Sequence, residues 1–252
     1  MSSFRFGKRN IVSHNERSNL YNLLICVICS IICLLAFTSM SYSFLDNFER
    51  KDFGDDWRKS PSGQDVAWTI EKGIAAFSGV GGHSQMMTGK SDWKDYAVEC
   101  DIKLPTLQEW PGGIRTHIDE DTGGHYAVWF YPVQKNIKLY SGTAWDINTG
   151  IVTLGEFKPF DPEADTFFHV KVVHSGKSIE VWLGDNKDNI KKIIDASDDS
   201  FKSGPFALDG WDKPIHFDNV LITGSGIPRS LGEAAVHPES KIASLWGELK
   251  LQ

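Results

Sequence analysis

Apolar and polar residues alternate with a period of two along most of this chain, and the alternation defines its elements. Tyr96, Val98, Cys100, Ile102 and Leu104 fall on one face of a run whose other face carries Glu99, Asp101 and Lys103; Pro105 ends it. Phe168, Val170 and Val172 repeat the pattern. Ser175-Gly176-Lys177 then turns the chain into Ile179, Val181 and Leu183, which predicts a hairpin. Val66–Ile70 and Ile74–Phe77 flank the turn Lys72-Gly73, and Pro205–Leu208 and Ile215–Ile222 supply the last strands. The central stretch is Gly112 to Gly142. Ile114, Thr116 and Ile118 alternate with Arg115 and His117, Asp119 to Gly124 carries turn chemistry, and the aromatic and β-branched run His125–Tyr131 reads as the partner strand. Short strands with regular turn signals predict an all-β sandwich or barrel, and no internal repeat is visible.

Both ends depart from this pattern. Leu23 to Phe37 is apolar except for Ser30 and follows four basic residues, Arg5, Lys8, Arg9 and Arg17, with one acid, Glu16. That arrangement predicts a signal peptide or a membrane anchor over residues 1–43. The N-terminus stays in the cytoplasm and the body is extracytoplasmic, either secreted, periplasmic or held at the outer face of the cytoplasmic membrane. Residues 44–224 form the sandwich domain. Residues 225–252 form a linker with Pro228, Gly232 and Pro238, then a short amphipathic helix with Ile242, Leu245, Trp246 and Leu249, expected to fold back onto the sandwich. Three of the four cysteines, Cys26, Cys29 and Cys33, sit in the apolar segment. Cys100 alone is left to the body, so the fold stands on its core and not on a disulfide.

Charge narrows the function. The chain has net charge −7, and without its first 45 residues the body stands at −10. An acidic body excludes nucleic acid as a partner. No Gly-x-Ser-x-Gly, His-Glu-x-x-His or paired Cys-x-x-Cys appears. Glu99 and Asp101 share a strand face, but a second glutamate at the spacing used by laminarinase-type hydrolases is missing. They read as a solvated face. Asp119-Glu120-Asp121 reads first as a solvated turn.

A strand face with Arg, His, Trp and Tyr suits a sugar. Aromatic planes stack on C–H faces, and Arg or His bonds hydroxyls. The candidate ligand residues are Arg115, His117, Tyr126, Trp145 and Trp211, with Asp119 and Glu120 at the turn; Trp110 shares the loop-like context of Trp145 and Trp211. On this pattern Arg115 is the centre of the site, and Arg115→Ala costs binding with little loss of stability.

Five pieces occur in order: Phe44-Leu-Asp-Asn-Phe48 with Trp57; Trp68-Thr-Ile-Glu-Lys-Gly73; Gly113-Ile-Arg115 through Tyr126 to Leu139-Tyr140; Phe168-His-Val-Lys-Val172 with Ile179-Glu-Val-Trp182; and Ser203-Gly-Pro-Phe206 followed by Phe217-Asp-Asn-Val220. Together they resemble the bacterial concanavalin A-like jelly-roll domains: laminin-G-like modules, levan-binding-type carbohydrate-binding modules and 3-keto-disaccharide hydrolase-type domains. The resemblance implies two stacked antiparallel sheets and a polysaccharide or oligosaccharide partner, held by a non-catalytic, lectin-like module. Two alternatives stay open. One is a hydrolase of the 3-keto-disaccharide type using Glu99, Asp119 or Glu120; the other is a structural or adhesive envelope protein. The resemblance also places the first and last strands side by side. That would bring Asp46 and Asn47 to Asp218 and Asn219, a donor set for a structural calcium ion.

Overall fold

The structure is a computed structural model that describes residues 43–62, 68–79, 82–146 and 148–228. The N-terminal apolar segment, the linker beyond residue 228 and the amphipathic C-terminal stretch lie outside the described residues. Among those described, no helix is long and apolar enough to cross a membrane.

Among the described residues fifteen strands follow one another: β1 (Ser43–Asp46), β2 (Arg58–Lys59), β3 (Trp68–Glu71), β4 (Ile74–Phe77), β5 (Ser84–Thr88), β6 (Ala97–Lys103), β7 (Gly112–Thr116), β8 (His125–Tyr131), β9 (Asn136–Gly142), β10 (Val152–Phe157), β11 (Phe167–Ser175), β12 (Ser178–Gly184), β13 (Ile190–Ser197), β14 (Phe206–Gly210) and β15 (Ile215–Thr223). They form two antiparallel sheets. One has eight strands in the order β13-β12-β11-β6-β15-β4-β3, with β1 also paired to β15; the other has seven, β10-β9-β8-β7-β14-β5-β2. This is the jelly-roll sandwich that the alternation and the resemblance predict.

Period-two patterning builds the core directly. β6 buries Val98, Cys100 and Ile102 and leaves Glu99, Asp101 and Lys103 outward. β11 and β12 bury Val170, Val172, Ile179 and Val181 against it. Trp57 and Trp68 are core residues, packed among Phe44, Phe48, Phe53, Phe77, Phe206 and Phe217. The turn Lys72-Gly73 has both residues at positive φ, 55° and 77°, as a tight hairpin between β3 and β4 requires.

The first and last strands do lie together, with Ser43 opposite Thr223 and Asp46 opposite Val220. Of the expected calcium ligands, however, Asp46 is already engaged on both oxygens. Asp46 is buried and accepts from Arg50 Nη1 and Nη2 at 2.6 Å each, from Trp57 Nε1 at 2.7 Å and from its own turn at Phe48 N at 2.8 Å. Asn47 Oδ1 faces the Glu49 amide at 3.4 Å, and Asp218 Oδ1 accepts the Asn219 amide at 2.7 Å. Arg50 thus stands where the cation was expected, and no group of three or more His, Cys, Asp or Glu that could hold a metal occurs among the described residues. With both of its oxygens on Arg50, Asp46 would have to give up that pair to take calcium. Stripping metal with chelator is therefore expected to leave the melting curve unchanged, and a downward shift reversed by calcium would return the site to consideration.

Candidate functional site

The outer face of the seven-stranded sheet carries a buried ionic network under an aromatic surface. Its centre is Asp209 on β14. Register places Asp209 opposite Gln85 of β5 on one side and Gly113 of β7 on the other, and Gly113 opposite Trp129 of β8. A Cβ at Gly113 would stand 3.0 Å from Trp129 Cδ1 and closer still to the Val128 carbonyl. The missing side chain lets the Trp129 indole cross to Asp209, where Nε1 donates to Oδ2 at 2.9 Å. Arg115 Nε donates to the same oxygen at 2.6 Å; His83 Nε2 at 2.6 Å and Gln85 Nε2 at 3.2 Å serve Oδ1.

Both Asp209 and Arg115 are 0% exposed. Burial by itself drives a carboxyl pKa up; the Arg115 and His83 partners outweigh it and hold Asp209 below the usual carboxylate range. Arg115 also donates from Nη1 to the Trp145 carbonyl at 3.0 Å. Its charge is consumed inside the protein.

Proton positions follow from the partners. The 2.6 Å approach of His83 Nε2 to a carboxylate oxygen requires a proton on Nε2. Contacts of that nitrogen with Arg115 Nη2 and Gln85 Nε2 are then close approaches of donors, not hydrogen bonds. The His83 side chain is part-exposed. His125 Nδ1 donates to the Gly123 carbonyl at 2.8 Å, so Nε2 is an acceptor, and it is buried without a partner. Burial, and then the Arg115 charge, pushes the His125 pKa down to about 3, so this imidazole is neutral.

Aromatic rings roof the network. Trp211, half-buried, stacks on His83 with centroids 4.6 Å apart and meets Trp129 at 6.0 Å. Tyr131 and Tyr140 flank Trp129, with the Lys138 ammonium 5.1 Å over the Tyr131 ring. The Tyr140 hydroxyl is buried and finds no partner at hydrogen-bonding geometry. Trp145 is seated on Met87, Ile118 and Ala207 and its carbonyl ties its loop to Arg115, while Trp211, His83, Tyr131 and Lys138 stay part-exposed.

The sequence-predicted residues are only partly brought together. Arg115, Trp145 and Trp211 meet on this face. His117 does not share Arg115's face, contrary to the alternation: its φ is +49°, which ends the period-two pattern and turns the ring into the core. There it is 3% exposed and lies 4.0 Å from His174, 4.9 Å from Tyr96 and 6.1 Å from Tyr126. Tyr126 also points inward, and its hydroxyl donates to Asp198 at 2.6 Å. Asp119 caps its own turn by accepting from the Asp121 and Thr122 amides, and Glu120 pairs with Arg58 at 2.7 Å. These two acids border a separate polar cavity of about 540 Å³ with Ser91, Asp121, Ser200 and Lys202. Glu99 and Asp101 lie on the outer face of the other sheet, engaged by Lys171 and His169 at 2.7 Å each. Of the three acids named for a hydrolase, Asp119 and Glu120 share that cavity, while Glu99 lies on the other sheet. Sequence reasoning missed His83, Gln85, Trp129 and Asp209. An aspartate inside the apolar run Phe206-Ala-Leu-Asp-Gly was the available signal.

Fold and face together define a concanavalin A-like jelly-roll domain with an aromatic, buried-ion face. The chain belongs to the 3-keto-alpha-glucoside-1,2-lyase-like domain family, whose sequence model matches residues 44–223. No curated protein matches it. Among solved structures it is similar to the carbohydrate-binding module CBM66 from Bacillus subtilis, at TM-score 0.54 and 22% identity over 67% of this chain and 96% of that one. It is also similar to the GH43 protein BlXynB from Bacillus licheniformis, at TM-score 0.51 and 12% identity, covering 71% of this chain and 39% of that one. LamAcat from Zobellia galactanivorans matches at TM-score 0.50 and 12% identity, over 72% and 96% respectively. At these identities the likeness is one of fold.

Proposed function

We propose that this domain binds a neutral polysaccharide or oligosaccharide on the outer face of its seven-stranded sheet and does not turn it over. One observation carries the reading: Trp211 lies against His83 with ring centroids 4.6 Å apart, and His83 in turn binds Asp209 of the buried Arg115–Asp209 pair. The indole offers a flat apolar surface for the C–H face of a sugar. The edge of the His83 ring offers a polar contact and, deeper, His125 Nε2 offers an acceptor for a hydroxyl proton. Because Arg115 and Asp209 neutralise each other below, the floor has no spare charge, which suits a neutral ligand better than an anionic one. A glycosidase needs two carboxylates flanking the scissile bond. Asp209, the carboxylate of this network, is saturated by four donors. The likeness to CBM66, a carbohydrate-binding module of the same fold, supports binding.

Trp211→Ala is expected to weaken binding of an array-positive glycan at least tenfold, about 1.4 kcal/mol, with melting little changed. Equal affinity in that variant would remove the face from consideration.

The family description favours a second reading, action on a 3-keto-α-glucoside. A 3-keto group acidifies the C2 proton. A base on this face, such as the His83 imidazole, would take that proton as the C1–oxygen bond breaks and return it to the departing oxygen, leaving a C1=C2 double bond and the aglycone as its free alcohol. Incubation with a 3-keto-α-glucoside separates the two readings: release of the aglycone supports the second, and glycan binding without release supports the first.

A further inference from the structure

The loop between β6 and β7 ends in Glu109-Trp110-Pro111. Trp110 is 46% exposed and holds a left-handed backbone, φ 58°. For a bulky L-residue that conformation costs on the order of 1–2 kcal/mol, so the surroundings must impose it. They do so from both sides. On one, Glu109 Oε1 accepts from the Gln134 side-chain amide at 3.1 Å, fixing the loop to the turn between β8 and β9. On the other, the Pro111 carbonyl accepts the backbone N–H of Trp211 at 3.0 Å. Trp110 is thereby pinned between two segments that border the aromatic face, one leading from Tyr131 and the other carrying Trp211 itself.

Its ring contributes nothing to the core. Among the described residues it stacks on no other ring and belongs to no buried cluster. Leu107 and Val133, from the same loop and the same turn, are also exposed, so the border here is apolar. A large indole held outward in a costly conformation, beside a second indole on the ligand face, is placed for contact with something that has a flat apolar side and no charge.

We propose that Trp110 is a second sugar platform, so that the site takes a neutral saccharide chain of at least two units, one over Trp211 and the next over Trp110. The proposal rests on the glycan reading above. Strain and pinning serve it directly: an ordered indole loses less freedom on binding than one on a mobile loop.

The test is titration calorimetry of the purified protein with ladders of one to five units of xylo-, β-gluco- and fructo-oligosaccharides. In the wild-type protein affinity is expected to rise at least tenfold from one unit to two in the ladder that binds. Trp110→Ala should flatten that rise while leaving one-unit affinity within twofold and the melting temperature unchanged. Trp110→Tyr should restore part of the rise. A wild-type protein whose affinity ignores length, or a Trp110→Ala variant that keeps the full rise, overturns the second platform and leaves the first intact. Failure of the wild-type protein to bind any ladder overturns the glycan reading, and the second platform with it.

Discussion

Arg115→Ala is expected to cost the domain about 3–5 kcal/mol, the penalty for stranding one partner of a buried ion pair. The reason lies in Asp209. Its carboxylate has no solvent access, and Arg115 supplies both the 2.6 Å bond and the neighbouring charge that keep it ionised. Removing Arg115 also strands the Trp145 carbonyl and with it the tie to that loop. Whole domains of this kind are stable by only about 5–15 kcal/mol, so such a loss shows at once in a urea titration. The double variant Arg115→Met, Asp209→Leu, which removes both charges, is expected to recover only part of the loss, because Trp129 Nε1, Gln85 Nε2 and His83 Nε2 lose the carboxylate they donate to. A single Arg115→Ala variant that unfolds at the wild-type urea concentration would show that the pair is not closed to water. The sequence pattern alone had suggested the opposite, a surface arginine removable at little cost. Full burial and the distant partner Asp209 reverse that expectation.

The second large effect is loss of stability in mild acid. His117, His125 and His174 are all buried and neutral. Burial is the leading cause in each; it brings His117 down to about 4 and His125 to about 3, and it holds His174 well below its ordinary value, with the neighbouring His117 adding to the effect. Their pKa values in the unfolded chain stay near 6.5. Folded values below unfolded ones mean that the unfolded chain takes up protons first. Stability is therefore intact above about pH 6.5 and drains away as pH falls toward 4 and 3. At pH 5 each residue with a folded pKa near 4 or below costs on the order of 2 kcal/mol. Charged and titratable neighbours are few. Asp95 partly opposes the shift at His117; Tyr96 and Tyr126 stay neutral beside it; Asp198 is engaged by the Tyr126 hydroxyl; Arg115 and His83 reinforce the shift at His125 while Asp209 opposes it. Asp209, also depressed, adds to the loss once pH drops below the carboxylate range. Melting temperature measured from pH 7.5 to 4 should fall steeply below 6.5. His117→Asn, which tolerates a positive φ and does not titrate, should make that fall shallower. A flat profile would mean that these rings can meet water without unfolding.

Legibility differed between fold and site for a physical reason. A buried strand declares itself locally, because every second residue must be apolar. Tyr96 to Leu104 and Phe168 to Leu183 therefore announced both β6 and the β11–β12 hairpin. The site depends instead on pairs distant in sequence. Arg115 meets Asp209 across 94 residues and His83 across 32, and no local pattern encodes either contact. His83 lies in a glycine-rich stretch with no period at all. His117 was placed on the wrong face because alternation assumes negative φ, and a single left-handed residue inverts it. Asp46 illustrates the remaining gap. Its position beside the last strand was legible, but Arg50, only four residues on, was not recognised as its cation.

The pairing of β1 with β15 also settles how the domain would carry a mechanical load. Ser43 and Thr223 stand opposite each other, so a pull applied across them meets the ladder end-on, from Ser43 and Thr223 inward to Asp46 and Val220. In an antiparallel pair loaded this way the hydrogen bonds bear force in succession and not together. The strand peels like a zipper until tension reaches Asp46, where the Arg50 fork and the Trp57 indole hold the carboxylate. The buried Phe44 ring, packed on Trp57, and that three-residue knot are together where such a pull is expected to meet its first resistance.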